Sequence, residues 1–367
     1  MNIFSKKPEK TTSNLSKKYL DNNRGFFLYF RHMSMKMQER FAQLYPHKGV
    51  PQVFLHGNPH IENYTINGKG AAMIDFDRSR IGPYVWDIVR FLASVSVKRK
   101  EVTDEFLSKE VLEYFLEGYL RSFHAPHLPY KPISTASNRA KFTVWHNNVE
   151  EYLKANIKWA KRMRNNPVRT NNKDLKALLQ GYLQSRNELD LLGTHKLTEA
   201  GQATGTFGNQ RFLMVLSPQK NTEAESVFLD IKTVYQDPDN RWYYNPYNHH
   251  GIRMIEASKL YAPGVEQRMG YVTYQNQEYW GRAIPPKNAK LKANLNSAEQ
   301  IDMAYSVATQ LGSAHRKSLQ GGVEALKLEK HLLADYTRLT DIAHQMNMEL
   351  MQAYQAYVQQ LNATKAG

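Results

Sequence analysis

Cysteine is absent from all 367 residues. That excludes disulfides, zinc–thiolate centres and thiol nucleophiles, and it fits a reducing compartment, so a cytoplasmic location is expected. Long apolar runs are missing as well. No segment offers the roughly 18 consecutive apolar residues that a membrane span requires, and the amino-terminal stretch MNIFSKKPEKTTSNLSKK has no apolar core of a secretion signal. Neither a Gly-x-Ser-x-Gly elbow nor a Walker A loop occurs, which removes two common catalytic schemes. Acidic residues are in short supply, 34 against 49 Lys and Arg, for a net charge of +15 and a pI near 9.6. Such an excess favours an anionic partner: nucleotide, nucleic acid, anionic lipid or an acidic protein. A solvated basic surface gives the same balance.

What is present is concentrated in residues 53–93. An apolar run, Val53 to Leu55, ends at His56-Gly57-Asn58-Pro59, where glycine and proline turn a strand into a loop. Residues 64–66 and 71–74 flank Asn67-Gly68 and predict a hairpin. That hairpin brings Asn58, His60, Glu62 and Asn63 close to Asp75 and Asp77 at its far end. Carboxylates and an amide oxygen at adjacent strand ends form a hard oxygen set, suited to Mg²⁺ with a phosphorylated ligand. The same residue types also populate solvated turns. Pro59 keeps His56 and His60 off a shared helical face, which argues against zinc.

Around this stretch the pattern is mostly helical. Residues 1–25 read as a flexible basic arm, and apolar residues at helical spacing predict helices over 26–44, 84–97, 298–318 and 323–361. Thr103 is a candidate N-cap for another helix. Residues 138–192 are helical in pattern and basic, with Lys158, Lys161, Arg162, Arg164 and Arg169 near Trp145 and Trp159. These fit an acceptor or nucleic-acid surface, or a solvated helix face. His249-His250 reads as loop. Character changes at 197–235: Gly201, Gly205 and Gly208 punctuate a hairpin, and a strand over 227–235 carries Lys232. Glycines there let backbone amides approach phosphate, and a lysine on the next strand can reach it from the side. Further strands are predicted at 271–274 and 278–283, after a helix over 251–260 that contains Glu256, with Arg253 and Glu266 as competing charges nearby.

His56-Gly57-Asn58, Asn63, Ile74-Asp75-Phe76, Gly82-Pro83 and Trp86-Asp87 together resemble the catalytic loop, metal-binding strand end and following helix of aminoglycoside phosphotransferases and other kinase-like enzymes. In those enzymes the loop reads His-Gly-Asp, with an Asn five residues after the Asp. The resemblance implies that Asn58 occupies the position of the catalytic Asp, which an amide cannot replace as a proton acceptor. His60 or Glu62 then becomes the candidate base. It implies Asn63 and Asp75 as Mg²⁺ ligands with Asp77 assisting, and Asp87 as a brace beneath the loop. It further implies Gly205, Thr206 and Gly208 over the phosphates of ATP, with Lys232 neutralising them and Glu256 orienting Lys232.

The order of these parts is inverted, loop first and lysine later. That order, with GTFG, FLDIK, GIRMIEASKL, YWGRAIPPKNAKL and LGSAHRKS, resembles a bacterial family catalogued as domain of unknown function 2252. The likeness implies an α+β, two-lobed, circularly permuted kinase-like fold. Its parts are the arm (1–25), a helical C-lobe with catalytic and metal loops (26–195), a small antiparallel-sheet N-lobe (196–290) and C-terminal helices packing on the C-lobe (291–367). The expected activity is Mg²⁺-dependent phosphoryl transfer from ATP to a small-molecule or protein acceptor. AMP transfer, a pseudokinase interaction module and a basic nucleic-acid-binding protein are the alternatives.

Overall fold

The computed structural model describes residues 17–67, 70–99, 105–127, 149–204, 210–219, 225–284, 289–290 and 294–366. They form a mixed α+β chain with antiparallel sheets. Strand β1 (Gln52–Leu55) pairs with β4 (Arg80–Pro83), while β2 (Tyr64–Asn67) and β3 (Gly70–Met73) form the expected hairpin, with Thr65 opposite Ala72. The larger sheet contains β5 (His195–Thr204), β6 (Gln210–Pro218), β7 (Val227–Thr233), β8 (Gly270–Tyr274) and β9 (Gln277–Ala283), in the order β5-β6-β7-β9-β8. A short β10 (Ala289–Lys290) leaves that region and pairs with β2, stitching the two parts together.

Helices α1 (Gly25–His32), α2 (Ser34–Leu44), α3 (Val85–Val97) and α4 (Lys109–His124) enclose the small sheets. They share one core with α9 (His250–Tyr261), α10 (Ser297–Ser318) and α11 (Gly322–Ala366). A complete capping box between Asn296 and Glu299 starts α10, satisfying two otherwise orphaned amides. Along α11, Leu328, Leu332, Leu339, Ala343, Met346 and Leu350 are buried. They recur at spacings of three, four and seven, one face of a helix, and each large one contributes about 1.5–3 kcal/mol of apolar burial.

The remaining helices are α5 (Val149–Ala155), α6 (Ile157–Asn165), α7 (Lys173–Gln184) and α8 (Leu191–Thr194). Strand alternation gives the five-stranded sheet two apolar faces. Met214, Leu216, Leu229 and Ile231 pack on Leu175, Leu178 and Leu179 of α7. Leu213, Val215 and Phe228 pack on Leu153 of α5 and Met163 of α6. The expected boundary at 195/196 therefore does not follow the packing, because α5 to α7 cover the sheet rather than joining the helical core. A helix's apolar stripe states that it buries a face, but not against which neighbour.

Several local expectations are corrected. The arm is docked by residue 19: Tyr19 is fully buried, bonded to His32 Nδ1 at 2.5 Å and edge-on to Tyr357. The single helix expected over 26–44 breaks between His32 and Ser34. The N-cap of α4 is Ser108, and Thr103 lies outside the described residues. His249 is the N-cap of α9 rather than loop, its ring accepting from the Gly251 amide at 2.8 Å.

Candidate functional site

The loop after β1 is fixed from below. Gly57 has φ +84° and lies so close to the Arg78 carbonyl that a Cβ would overlap it. Glycine alone fits such a position without strain. The amides of His56 and Gly57 donate to the two carboxylate oxygens of Asp87 at 2.7 and 2.9 Å, and Trp86 Nε1 donates to the Gly57 carbonyl at 2.8 Å. His315 Nε2 reaches the same carboxylate at 3.2 Å. Asp87, Trp86, His56 and His315 are all buried. Asp87 thus braces the loop in the way the resemblance implied.

Two further ties join the loop to the end of β3: His56 Nε2 to the Ile74 carbonyl at 3.2 Å, and the Ile74 amide to the Asn63 carbonyl at 2.8 Å. Burial pushes the His56 imidazole below its ordinary pKa. The Asn63 side chain, itself buried, donates to the Asn58 carbonyl at 3.2 Å. Asp75 follows with φ +67°, a left-handed conformation that costs a non-glycine residue on the order of 1–3 kcal/mol and clusters at functional sites. Its carboxylate is 40 % exposed and lies 3.7 Å from Arg31.

The expected proton acceptors are differently employed. Glu62 is ringed by cations: Lys98 at 3.1 Å, Arg31 at 3.3 Å and Arg24 at 3.6 Å. It is a buried charge node rather than a base facing an acceptor. His60 is buried edge-on against Phe27. Asn58 Oδ1 accepts from Nε of the fully buried Arg90 at 2.8 Å. Because a guanidinium only donates, this contact fixes the amide orientation and turns Nδ2 the other way.

From the sheet, Lys232 on β7 donates to both oxygens of Asp77, at 2.8 and 3.1 Å, across 155 residues of sequence, and lies 4.7 Å over the Trp280 ring. Its strand neighbour on the same face, Asp230, is buried and gripped by Arg211, with Arg282 at 3.9 Å. Burial alone would raise the Asp230 carboxyl, but Arg211, Arg282 and Lys232 together outweigh it and hold the group below the usual range. Arg282 is also paired with Glu266 and feels the charge of Asp75. Strand end 75–77 and the sheet face bearing Lys232 therefore confront each other.

Glu256 does not join them. It pairs with Lys259 one turn along α9, at 2.6 Å, so the expected Lys232–Glu256 pair is replaced by Lys232–Asp77. The residue α9 sends towards the site is Arg253, whose guanidinium donates to the carbonyls of Asp77 (2.9 Å), Tyr235 (2.8 Å) and Ser79. Gly205, Thr206 and Gly208 lie outside the described residues. Among the described residues no three His, Asp or Glu side chains converge on one point. Of the residues the resemblance implied as Mg²⁺ ligands, Asp75 has a 40 % exposed carboxylate and Asn63 is buried. Asp77 is committed to Lys232. Sequence reading missed Arg90 and Arg31, and weighed Arg253 only as a charge competing near Glu256. Arg90 alone left a trace, as a single charge inside the apolar run Ile88-Val89-Arg90-Phe91-Leu92.

These features define a mixed α+β protein in which a buried, braced loop and an acidic strand end face a sheet-borne lysine. The chain belongs to the family described as an uncharacterized protein conserved in bacteria (DUF2252), whose model matches residues 12–179 and 134–360. No curated protein and no solved structure matches it. No helix among the described residues is long and apolar enough to cross a membrane.

Proposed function

We propose that this chain is a kinase-like ATP-binding protein and a Mg²⁺-dependent phosphotransferase acting on a small-molecule or protein acceptor. The observation that carries this reading is the Lys232–Asp77 contact of 2.8 Å, made between the third strand of the sheet and the strand end that follows the braced loop. A hairpin, then a lysine on the third strand, then a helix is the order of phosphate-handling parts in protein kinases. A lysine held by a carboxylate until triphosphate arrives is ready to exchange one anion for another. Asp75, with its accessible carboxylate, and Asn63 would hold the cation that accompanies the nucleotide, and a circularly permuted two-lobed fold accounts for the inverted order. Asp87 would keep Asn58 in line with the transferred group.

A second reading, a nucleotide-binding pseudokinase or an AMP-transferring enzyme, is favoured by one contact. Asn58 Oδ1 is committed to Arg90, so residue 58 offers no proton acceptor. The first test is melting with and without Mg·ATP in the parent, Lys232→Met and Asp75→Ala. A nucleotide-dependent rise lost in both variants is expected, and no rise in the parent would overturn nucleotide binding. Incubation with γ-labelled and α-labelled ATP then separates the activities. Transfer of γ-label identifies a phosphotransferase, α-label alone identifies AMP transfer, and neither with intact binding identifies a pseudokinase.

A further inference from the structure

The outer side of α11 carries apolar surface that the core does not use. Of the ten large hydrophobic side chains exposed among the described residues, five belong to this one helix: Val323, Leu326, Leu333, Met348 and Met351, between 37 and 79 % exposed. At about 100° per residue they fall within an arc of about 80°, on the side of the helix away from the buried stripe that runs from Leu328 to Leu350. Exposed apolar side chains scattered singly are ordinary, but a row of them about 42 Å long on one rigid element marks an interaction surface.

Charge and order together specify what covers it. The chain as a whole is basic, yet residues 322–351 contain five carboxylates against three Lys and Arg side chains. This face is therefore not drawn to nucleic acid or anionic lipid, and two copies of it do not repel as two basic surfaces would. The row is also symmetric about Thr337: Val323 and Met351 are equally far from it on either side, as are Leu326 and Met348. Two copies laid antiparallel across a two-fold axis at Thr337 set Val323 against the partner's Met351 and Leu326 against the partner's Met348. They also bring Lys330 within one turn of the partner's Asp341, and each contact is made twice. Lys330 and Asp341 are both exposed, and Thr337, small and exposed, stands where the two helices come closest.

We propose that the outer face of α11 is the surface through which this chain pairs with a second copy of itself, as an antiparallel helix pair centred on Thr337. A strip about 42 Å long and about 10 Å wide buries roughly 400 Å² per partner, about half of a standard interface. The pair is therefore reversible and forms at micromolar protein concentration. The Lys232–Asp77 contact lies on other elements, so pairing leaves that site open.

The experiment is sedimentation equilibrium of the full chain over about 5–500 µM. The weight-average mass is expected to climb from 42.5 kDa towards twice that value. Leu326→Lys and Met348→Lys should each weaken association at least about tenfold with the melting temperature unchanged, whereas Tyr114→Lys, at an exposed apolar side chain on α4, should leave association as it is. Because the chain has no cysteine, single introduced thiols report the register. With oxidised glutathione as oxidant, Thr337→Cys should give a disulfide-linked dimer. Leu326→Cys should give none, since the two copies of residue 326 lie about 33 Å apart and a disulfide spans Cα atoms only about 4.4–6.8 Å apart. A parent that stays at 42.5 kDa throughout overturns the proposal. So does association that Leu326→Lys and Met348→Lys leave intact, or cross-linking as efficient through residue 326 as through residue 337, which a parallel pair would give.

Discussion

Asn58, half-buried, and the fully buried Arg90 form a pair 2.8 Å apart in which the cation meets an amide instead of a carboxylate. The other acceptors around this guanidinium are the Phe30 carbonyl at 3.0 Å and the Met37 sulfur at 2.7 Å, and its face lies 3.6 Å over the Phe30 ring. All are neutral, and burial drives the group well below its ordinary pKa, helped by the charges of Arg78 and Arg31. Asn58→Asp supplies the missing counter-charge without changing shape. We expect it to stabilise the fold by about 1–3 kcal/mol, the range over which charged hydrogen bonds and buried pairs act. Urea denaturation at neutral pH checks this, and a variant less stable than the parent would contradict the geometry.

Acid should weaken the protein before its carboxylates titrate. Burial pushes the imidazoles of His32 and His47 down to about 4, while in the unfolded chain they titrate near 6.5. Between those values the unfolded state binds protons that the folded state refuses, so stability is full above about pH 6.5 and is lost as pH falls towards 4. His47 Nε2 sits 3.0 Å from the Tyr243 hydroxyl, with the ring edge-on to Trp242. In His47→Gln the slope of unfolding free energy across pH 4–6.5 should drop by about one proton. Urea midpoints at half-unit pH intervals give that slope, and an unchanged slope would show that His47 already titrates normally.

Asp87 bonds two backbone amides at once, which only a carboxylate can do with both oxygens. Asp87→Asn turns an NH₂ group towards one of those amides, donor against donor, in a site closed to water. The expected cost is about 2–4 kcal/mol. Because the brace acts on the loop, exchange of the His56 and Gly57 amides should accelerate more than that of the α11 core. Hydrogen exchange followed by residue separates this local opening from a general loss of stability.

Much of the fold could be read from the chain because apolar periodicity reports burial directly. The hairpin at Asn67-Gly68, the strand bearing Lys232 and the final helix all follow from it. Of the two strand-end carboxylates, Asp77 meets Lys232 and Asp75 lies beside Arg31, pairings that spacing did not foretell. Pairing was harder to read. Glu256 and Arg253 lie three apart on the same helix, and sequence favours the glutamate for Lys232, yet the structure uses the arginine on backbone carbonyls and leaves the glutamate to Lys259. Glu62 looked like an available base because none of its three cations is local in sequence except through the fold. Which partner a charge takes depends on how helices are set against each other, and periodicity carries no information about that.

Gly57 and Gly49 offer a controlled comparison of strain with crowding. Both have left-handed backbones, φ +84° and +82°, but Gly49 has open space where a side chain would go, whereas Gly57 faces the Arg78 carbonyl. That carbonyl cannot retreat cheaply, because Arg78 is held by Asp237 and Arg253 bonds the backbone on either side of it. Gly49→Ala should therefore cost only the backbone term, about 1–2 kcal/mol. Gly57→Ala adds steric displacement of the loop from Asp87 and should cost at least about 3 kcal/mol. It should also abolish any Mg·ATP-dependent rise in melting temperature, which Gly49→Ala keeps. Equal costs for the two substitutions would mean that the loop can shift freely, and the brace beneath Asn58 would then not fix its position.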